Sequence, residues 1–185
     1  MFQRILTRIA KELTDRTVPY MIIGGQAVLR YGEPRLTKDI DVTVGLGVEG
    51  LPTIKDVVRS LAFVILVENP EAFVRKTLVL PVMDEDTGIR IDFIFSFSQY
   101  EKQAMDRAVS VIMKETPVRF ASLEDVVIHK LVAGRPRDIE DIRSMLLKNP
   151  GYDGAYIDRW LREFDTSLGE TYSEAFQELV SSLKS

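Results

Sequence analysis

The segment Asp39-Ile40-Asp41-Val42-Thr43-Val44 constrains the fold more than any other stretch of this chain. Side chains along a strand leave alternate faces, so Ile40, Val42 and Val44 share one face while Asp39 and Asp41 share the other. One face of such a strand belongs to a core, and the other is left for polar ligands. At a rise of about 3.3 Å per residue the two aspartate Cα atoms stand roughly 7 Å apart, within reach of a shared divalent cation.

The surrounding pattern alternates helices with short strands. Phe2, Ile5, Leu6, Ile9 and Leu13 recur at helical spacing and predict an amphipathic helix ending near Thr17, ahead of Pro19. Tyr20 to Ile23 reads as a buried strand, broken by Gly24-Gly25, with a helix over Gln26 to Tyr31. Asp39 to Val44 is the next strand, and Leu51 to Leu61 a helix with Pro52 in its first turn. Phe63 to Val67 is a strand candidate. Leu78 to Met83 and Ile89 to Phe95 flank Asp84-Glu85-Asp86-Thr87-Gly88, the turn chemistry of an antiparallel hairpin. After a polar helix over Ser98 to Arg107, extended segments at Val109 to Met113 and Val118 to Phe120 lead into a helix from Ser122 to Arg135. Its start is marked by Ser122 and, three residues on, Asp125. Arg137 to Leu147 and two further amphipathic helices complete the chain.

These elements predict an α/β fold: a small mixed sheet flanked by helices, with a helical C-terminal part. The predicted division is residues 1–121 as a core and 122–185 as helices closing a cleft. With 185 residues, 45% of them hydrophobic, the chain can bury one proper core but not two large ones. No run of about eighteen apolar residues occurs, so a soluble, cytoplasmic protein with no membrane partner is the expectation. There is no cysteine and a single histidine, which excludes disulfides, thiol nucleophiles and multi-histidine metal clusters. A metal here is bound by oxygen. The net charge of −4 argues against indiscriminate nucleic-acid coating, while leaving room for a local basic patch.

Aspartate is depleted in strands, yet Asp92 joins Asp39 and Asp41 in segments dense with Ile, Val and Phe. Burying a carboxylate costs several kcal/mol unless a cation or donors compensate, so three acids imply a shared positive charge. The plain alternative is that Asp39 caps a turn and Asp92 pairs with Arg90 across solvent. Gly24 and Gly25, between strand and helix, leave backbone N–H groups open to a phosphate. Lys130 puts a cation in an apolar helix stripe with Leu123, Val126 and Val127, where it either snorkels to water or meets a phosphate. Arg30, Arg35 and Lys38 precede the aspartates and Arg135, Arg137 and Asp138 follow Lys130, together a candidate basic rim. Asp138 or Asp141 could orient or deprotonate an acceptor hydroxyl. His129 reads as a surface or packing residue, and Tyr152, Tyr156, Trp160 and Phe164 as helix packing, with base stacking the alternative.

Gly24, Gly25, Asp39, Asp41 and Asp92 resemble, in type and order, the signature of the polymerase-beta-like nucleotidyltransferase superfamily. Lys130 to Asp138 (Lys-x₄-Arg followed by Asp) is similar to an element of the AbiEii-type toxin nucleotidyltransferases and their relatives. The resemblance covers roughly residues 18–142. Gly25 replaces the serine of the Gly-Ser form, so backbone amides would serve in place of its hydroxyl. The resemblance implies two Mg²⁺ ions, or Mn²⁺, on Asp39, Asp41 and Asp92, with Asp92 doubling as base. It also implies a nucleoside triphosphate held by Gly24, Gly25, Lys38, Lys130 and Arg135, with Arg35, Arg137 and Asp138 at the rim or acceptor. The product is a nucleotidylated acceptor plus pyrophosphate. An RNA or tRNA end or a protein hydroxyl is the expected acceptor, with a cognate antitoxin as a possible partner. The competing expectations are an antibiotic (aminoglycoside or lincosamide) nucleotidyltransferase and a non-catalytic, antitoxin-like nucleotide-binding module.

Overall fold

A computed structural model describes residues 1–34, 36–96 and 98–183. The chain forms two compact units, one made of Met1–Gln26 and Leu36–Ala121 and the other of Ala27–Arg35 and Ser122–Ser185.

The first unit carries a seven-stranded mixed sheet in the order β3 (Val64–Ile65), β4 (Val79–Asp84), β5 (Ile89–Phe95), β2 (Asp39–Val44), β1 (Tyr20–Ile23), β7 (Thr116–Phe120) and β6 (Val109–Met113). Helix α1 (Phe2–Asp15) buries Ile5, Leu6, Ile9, Ala10 and Leu13, the stripe set by their spacing, each Ile or Leu contributing about 1.5–3 kcal/mol. Strand β1 (Tyr20–Ile23) then pairs antiparallel with β2 (Asp39–Val44), and β2 pairs parallel with β5 (Ile89–Phe95). Helix α3 (Leu51–Ser60) follows β2 after a short 3₁₀ turn at Val48–Gly50. Strand β4 (Val79–Asp84) makes the expected hairpin with β5. Helix α5 (Gln99–Arg107) and the hairpin of β6 (Val109–Met113) and β7 (Thr116–Phe120) finish the unit, β7 lying parallel to β1.

Two elements differ from expectation. Strand β3 is only Val64–Ile65, and helix α4 (Pro70–Thr77) occupies a stretch for which no element was predicted. Its signals are local and legible. The Asn69 side chain accepts from the Ala72 N–H at 3.0 Å, Pro70 stands in the first turn beside Glu71, and Arg75 and Lys76 lie in the last.

The second unit is helical. It takes the later part of α2 (Gly24–Tyr31), whose first turn belongs to the first unit, and adds α6 (Leu123–Ala133), α7 (Pro136–Lys148), α8 (Gly154–Leu168) and α9 (Tyr172–Leu183). Gly134, at φ 62°, ends α6 by donating its N–H to the Lys130 carbonyl at 3.0 Å, and Pro136 opens α7. The Asn149 amide donates to the Tyr31 carbonyl at 2.9 Å, tying the end of α7 to the end of α2. The mixed sheet with flanking helices and a helical C-terminal part is the fold that the pattern predicted. No helix among the described residues is long and apolar enough to cross a membrane.

Candidate active site

Strand register assembles the acids. In the parallel pair, Asp41 stands opposite Asp92 and Asp39 opposite Arg90. Neighbouring strands are about 4.8 Å apart and facing residues share a face, so Asp39, Asp41, Arg90 and Asp92 form a two-by-two block of charge. The other face is core: Ile40, Val42, Ile91 and Phe93 are fully buried. That burial fixes the block, because a one-residue slip would turn the acids inward.

Arg90 is part of this block. Its Nε donates to Asp92 Oδ1 at 2.9 Å, with 18% of the Asp92 side chain exposed and 54% of the Arg90 side chain. The pairing that the sequence offered as the plain alternative for Asp92 is therefore present. Arg90's pKa is raised, first by the hydrogen bond to Asp92, against the opposing effect of burial, and further by the charges of Asp92, Asp39 and Asp41.

Gly24 backs the block. The helix begins at Gly24 rather than at Gln26, so both glycines form its first turn. Gly24 has φ +61°, and a Cβ there would stand 2.8 Å from Asp41 Cγ and closer still to Oδ2. The position needs glycine twice over, for its left-handed backbone and for the approach of the Asp41 carboxylate. Gly25 is buried. Two residues that the sequence reading passed over fix the entry to β2: Gln26 donates through Nε2 to Thr37 Oγ1 at 3.2 Å, and Thr37 Oγ1 donates to the Asp39 carbonyl at 3.1 Å. Their only sequence signal is proximity to the glycines and to Asp39. Lys38 is exposed beside them, and Arg35 lies outside the described residues.

In the second unit, Lys130 does not snorkel. It is 5% exposed, and its ammonium meets Asp138 Oδ1 at 2.6 Å and Asp141 Oδ2 at 2.7 Å, joining α6 to α7. Arg135 Nε lies 2.8 Å from Asp138 Oδ2, with the Arg135 side chain 73% exposed. Burial pushes the Asp138 carboxyl upward, but hydrogen bonds from Lys130 and Arg135 outweigh it and leave its pKa lowered. Lys130, Arg135 and Asp138 are thus brought together, as an ion-paired group within one unit. Arg137 stands exposed nearby in sequence. His129 is a half-buried packing residue, and burial lowers its pKa to about 4. The Tyr156 hydroxyl donates to Asp125 at 2.9 Å, while Arg159 stacks 5.4 Å over the Tyr156 and Trp160 rings, consistent with the packing reading of these aromatics.

Oxygen donors alone, in a half-buried block of three acids, suit a hard divalent cation such as Mg²⁺ or Mn²⁺. Among the described residues, however, no three acid or histidine side chains are already drawn together as a metal-holding group, and Asp92 is held by Arg90. A cavity of about 430 Å³ elsewhere in the first unit, between α3 and α4, contains none of these acids.

Solved structures of nucleotidyltransferases share the fold. An antigenic nucleotidyltransferase-like protein from Paracoccidioides brasiliensis matches with TM-score 0.59 and 16% identity, covering 98% of this chain and 91% of that one. The antibiotic-resistance factor ANT(2'')-Ia matches with TM-score 0.57 and 16% identity, over 98% of this chain and 94% of that one. JHP933 from Helicobacter pylori matches with TM-score 0.51 and 14% identity, over 98% and 88%. No curated protein matches the sequence. The family model described as "Nucleotidyltransferase of unknown function (DUF6036)" matches residues 2–151, and with most of its length inside that match the chain belongs to this family.

Proposed function

We propose that the protein transfers a nucleoside monophosphate from a nucleoside triphosphate to an acceptor hydroxyl, with Mg²⁺ or Mn²⁺ on Asp39, Asp41 and Asp92. The observation that carries this reading is the strand register that sets Asp41 beside Asp92, with Asp39 on the same face and Gly24 against Asp41. When bound, divalent ions would polarise the α-phosphate and neutralise the leaving pyrophosphate. Asp39 and Asp41 hold the reacting end in register. Asp92 accepts the proton as the acceptor oxygen bonds to the α-phosphorus and the bond to pyrophosphate breaks. The first-turn amides at Gly24 and Gly25 offer donors to a phosphate. In the helical unit, Lys130 pairs with Asp138 and Asp141, and Arg135 pairs with Asp138.

For the acceptor we propose an RNA or tRNA end or a protein hydroxyl, in keeping with the AbiEii-like Lys130-to-Asp138 element, and with it a toxin role answered by an antitoxin. A second reading, a small antibiotic as acceptor, is favoured by the match along nearly the whole chain to ANT(2'')-Ia, a protein also solved with adenylyl-2''-tobramycin. The test is incubation with Mg²⁺ and each α-labelled nucleoside triphosphate, offering cellular RNA, protein or aminoglycosides in turn. Transfer should fall by about a thousand-fold or more in Asp39→Ala and Asp41→Ala. Label appearing equally with either variant would sink the assignment of the acids. Nucleotide binding with no transfer to any acceptor would favour a regulatory module.

A further inference from the structure

The cavity of about 430 Å³ between α3 and α4 lies within the first unit, and the spacing of residues on the two helices fits it out. Leu51, Lys55 and Arg59 recur every four residues on α3, while Glu71, Val74 and Arg75 share a face of α4. Each helix thus turns one mixed stripe toward the space between them. The buried Leu51 and Val74 give the cavity an apolar floor, which the more exposed Val48 and Pro52 continue outward. Its volume lies toward the lower end of the range for ligand pockets, about 300–1,000 Å³, a size for a small metabolite. Asp39, Asp41 and Asp92 take no part in it.

The charged residues around it are of two kinds. Lys55 Nζ stands 2.7 Å from Glu71 Oε1, a pair that ties α3 to α4, and Arg59 stands 2.6 Å from Asp56 within α3. Arg75 and Glu49, by contrast, enter no ion pair at contact distance among the described residues, and both are exposed. The pKa of Glu71 is lowered first by the hydrogen bond from Lys55, with the charge of Arg75 adding a smaller effect, so Lys55 is the cation that serves this acid. An occupant therefore meets an apolar floor, one guanidinium and one carboxylate. We propose that the cavity binds a free α-amino acid with an apolar side chain, as its zwitterion: Arg75 takes the carboxylate, Glu49 the ammonium, and the side chain lies on Leu51 and Val74. A planar guanidinium meets a carboxylate through two parallel N–H groups, and a carboxylate such as Glu49 accepts readily from an ammonium. A triphosphate suits the cavity less, since Lys55 and Arg59 are each already matched by an acid.

The test is isothermal titration calorimetry of the full chain with leucine and with phenylalanine, each beside relatives that lack one charge: isocaproate and isoamylamine for leucine, hydrocinnamate and phenethylamine for phenylalanine. At least one amino acid should bind, and its two relatives should bind about ten-fold more weakly or worse. Arg75→Gln should weaken the amino acid and the bare acid by about ten-fold and spare the amine, while Glu49→Gln should weaken the amino acid and the amine and spare the bare acid. Loss of folding cannot produce that crossed pattern, and circular dichroism checks each variant independently. If neither amino acid binds the wild type, or if both variants bind it as the wild type does, the assignment is wrong. A bare acid or amine that binds as tightly as its amino acid would equally overturn the zwitterion site.

Discussion

Two clusters of acids in this molecule face opposite fates. On the sheet, Asp39, Asp41 and Asp92 are half-buried, with Arg90 paired to Asp92. In the helical unit, Asp138 and Asp141 are buried with Lys130 between them and Arg135 at the edge. The second cluster is charge-balanced and closed, two acids against two cations. The first lies on a half-buried face of the sheet, with Asp92 paired to Arg90. The difference separates acids buried between helices and ion-paired there from acids lined up by strand register on a half-buried face.

The comparison can be broken most severely at Lys130. Lys130→Met leaves Asp141 buried without its cation, and the chain should lose about 3–5 kcal/mol of stability, read from urea denaturation. A loss under about 1 kcal/mol would mean that the helical cluster is no more structural than the sheet cluster. A next, smaller effect sharpens the contrast through pH. His129 is held near a pKa of about 4, below its unfolded value, so unfolding takes up a proton between the two. Stability should therefore be full above about pH 6.5 and decline as pH falls from there to about 4, a loss of roughly 3 kcal/mol that His129→Phe removes. An unchanged pH profile in that variant would deny the burial assigned to His129. At Gly24, substitution by Ala should cost about 1–2 kcal/mol from the left-handed backbone alone, with further loss from the crowding of Asp41. A neutral Gly24→Ala would refute the close approach. The smallest effect has the opposite sign. Asp39→Asn relieves like-charge repulsion and should stabilise by about 0.5 kcal/mol while abolishing transfer. If it destabilises as Lys130→Met does, the two clusters are of one kind.

Much of this was readable before any coordinates. The alternation from Asp39 to Val44, the Asp84 to Gly88 turn and the Ser122 start each rest on contacts a few residues long, and each element formed where its local chemistry put it. Helix α4 was equally local, and its Asn69-Pro70-Glu71 start was simply passed over. The partners were a different matter. That Lys130 meets Asp138 and Asp141, or that Tyr156 reaches Asp125, depends on how helices pack, which no spacing along one helix encodes. The Arg90–Asp92 pair was foreseeable from its i, i+2 spacing, but that Arg90 faces Asp39 follows from the β2–β5 register, set by strands forty-odd residues apart in the chain.

That register has a consequence for how such a protein can change over generations. Asp92 reaches Asp41 because β5 counts its residues in step with β2, with Ile91 and Phe93 counting inward. Point substitutions on helices and loops leave that count intact. Gaining or losing one codon inside Ile89–Phe95 does not, because it would invert the strand, sending Asp92 into the core and an apolar side chain to the face that carries Asp39 and Asp41. Tolerance of insertions in a deep mutational scan should accordingly fall sharply at Ile89 and recover beyond Phe95, a boundary drawn by parity alone.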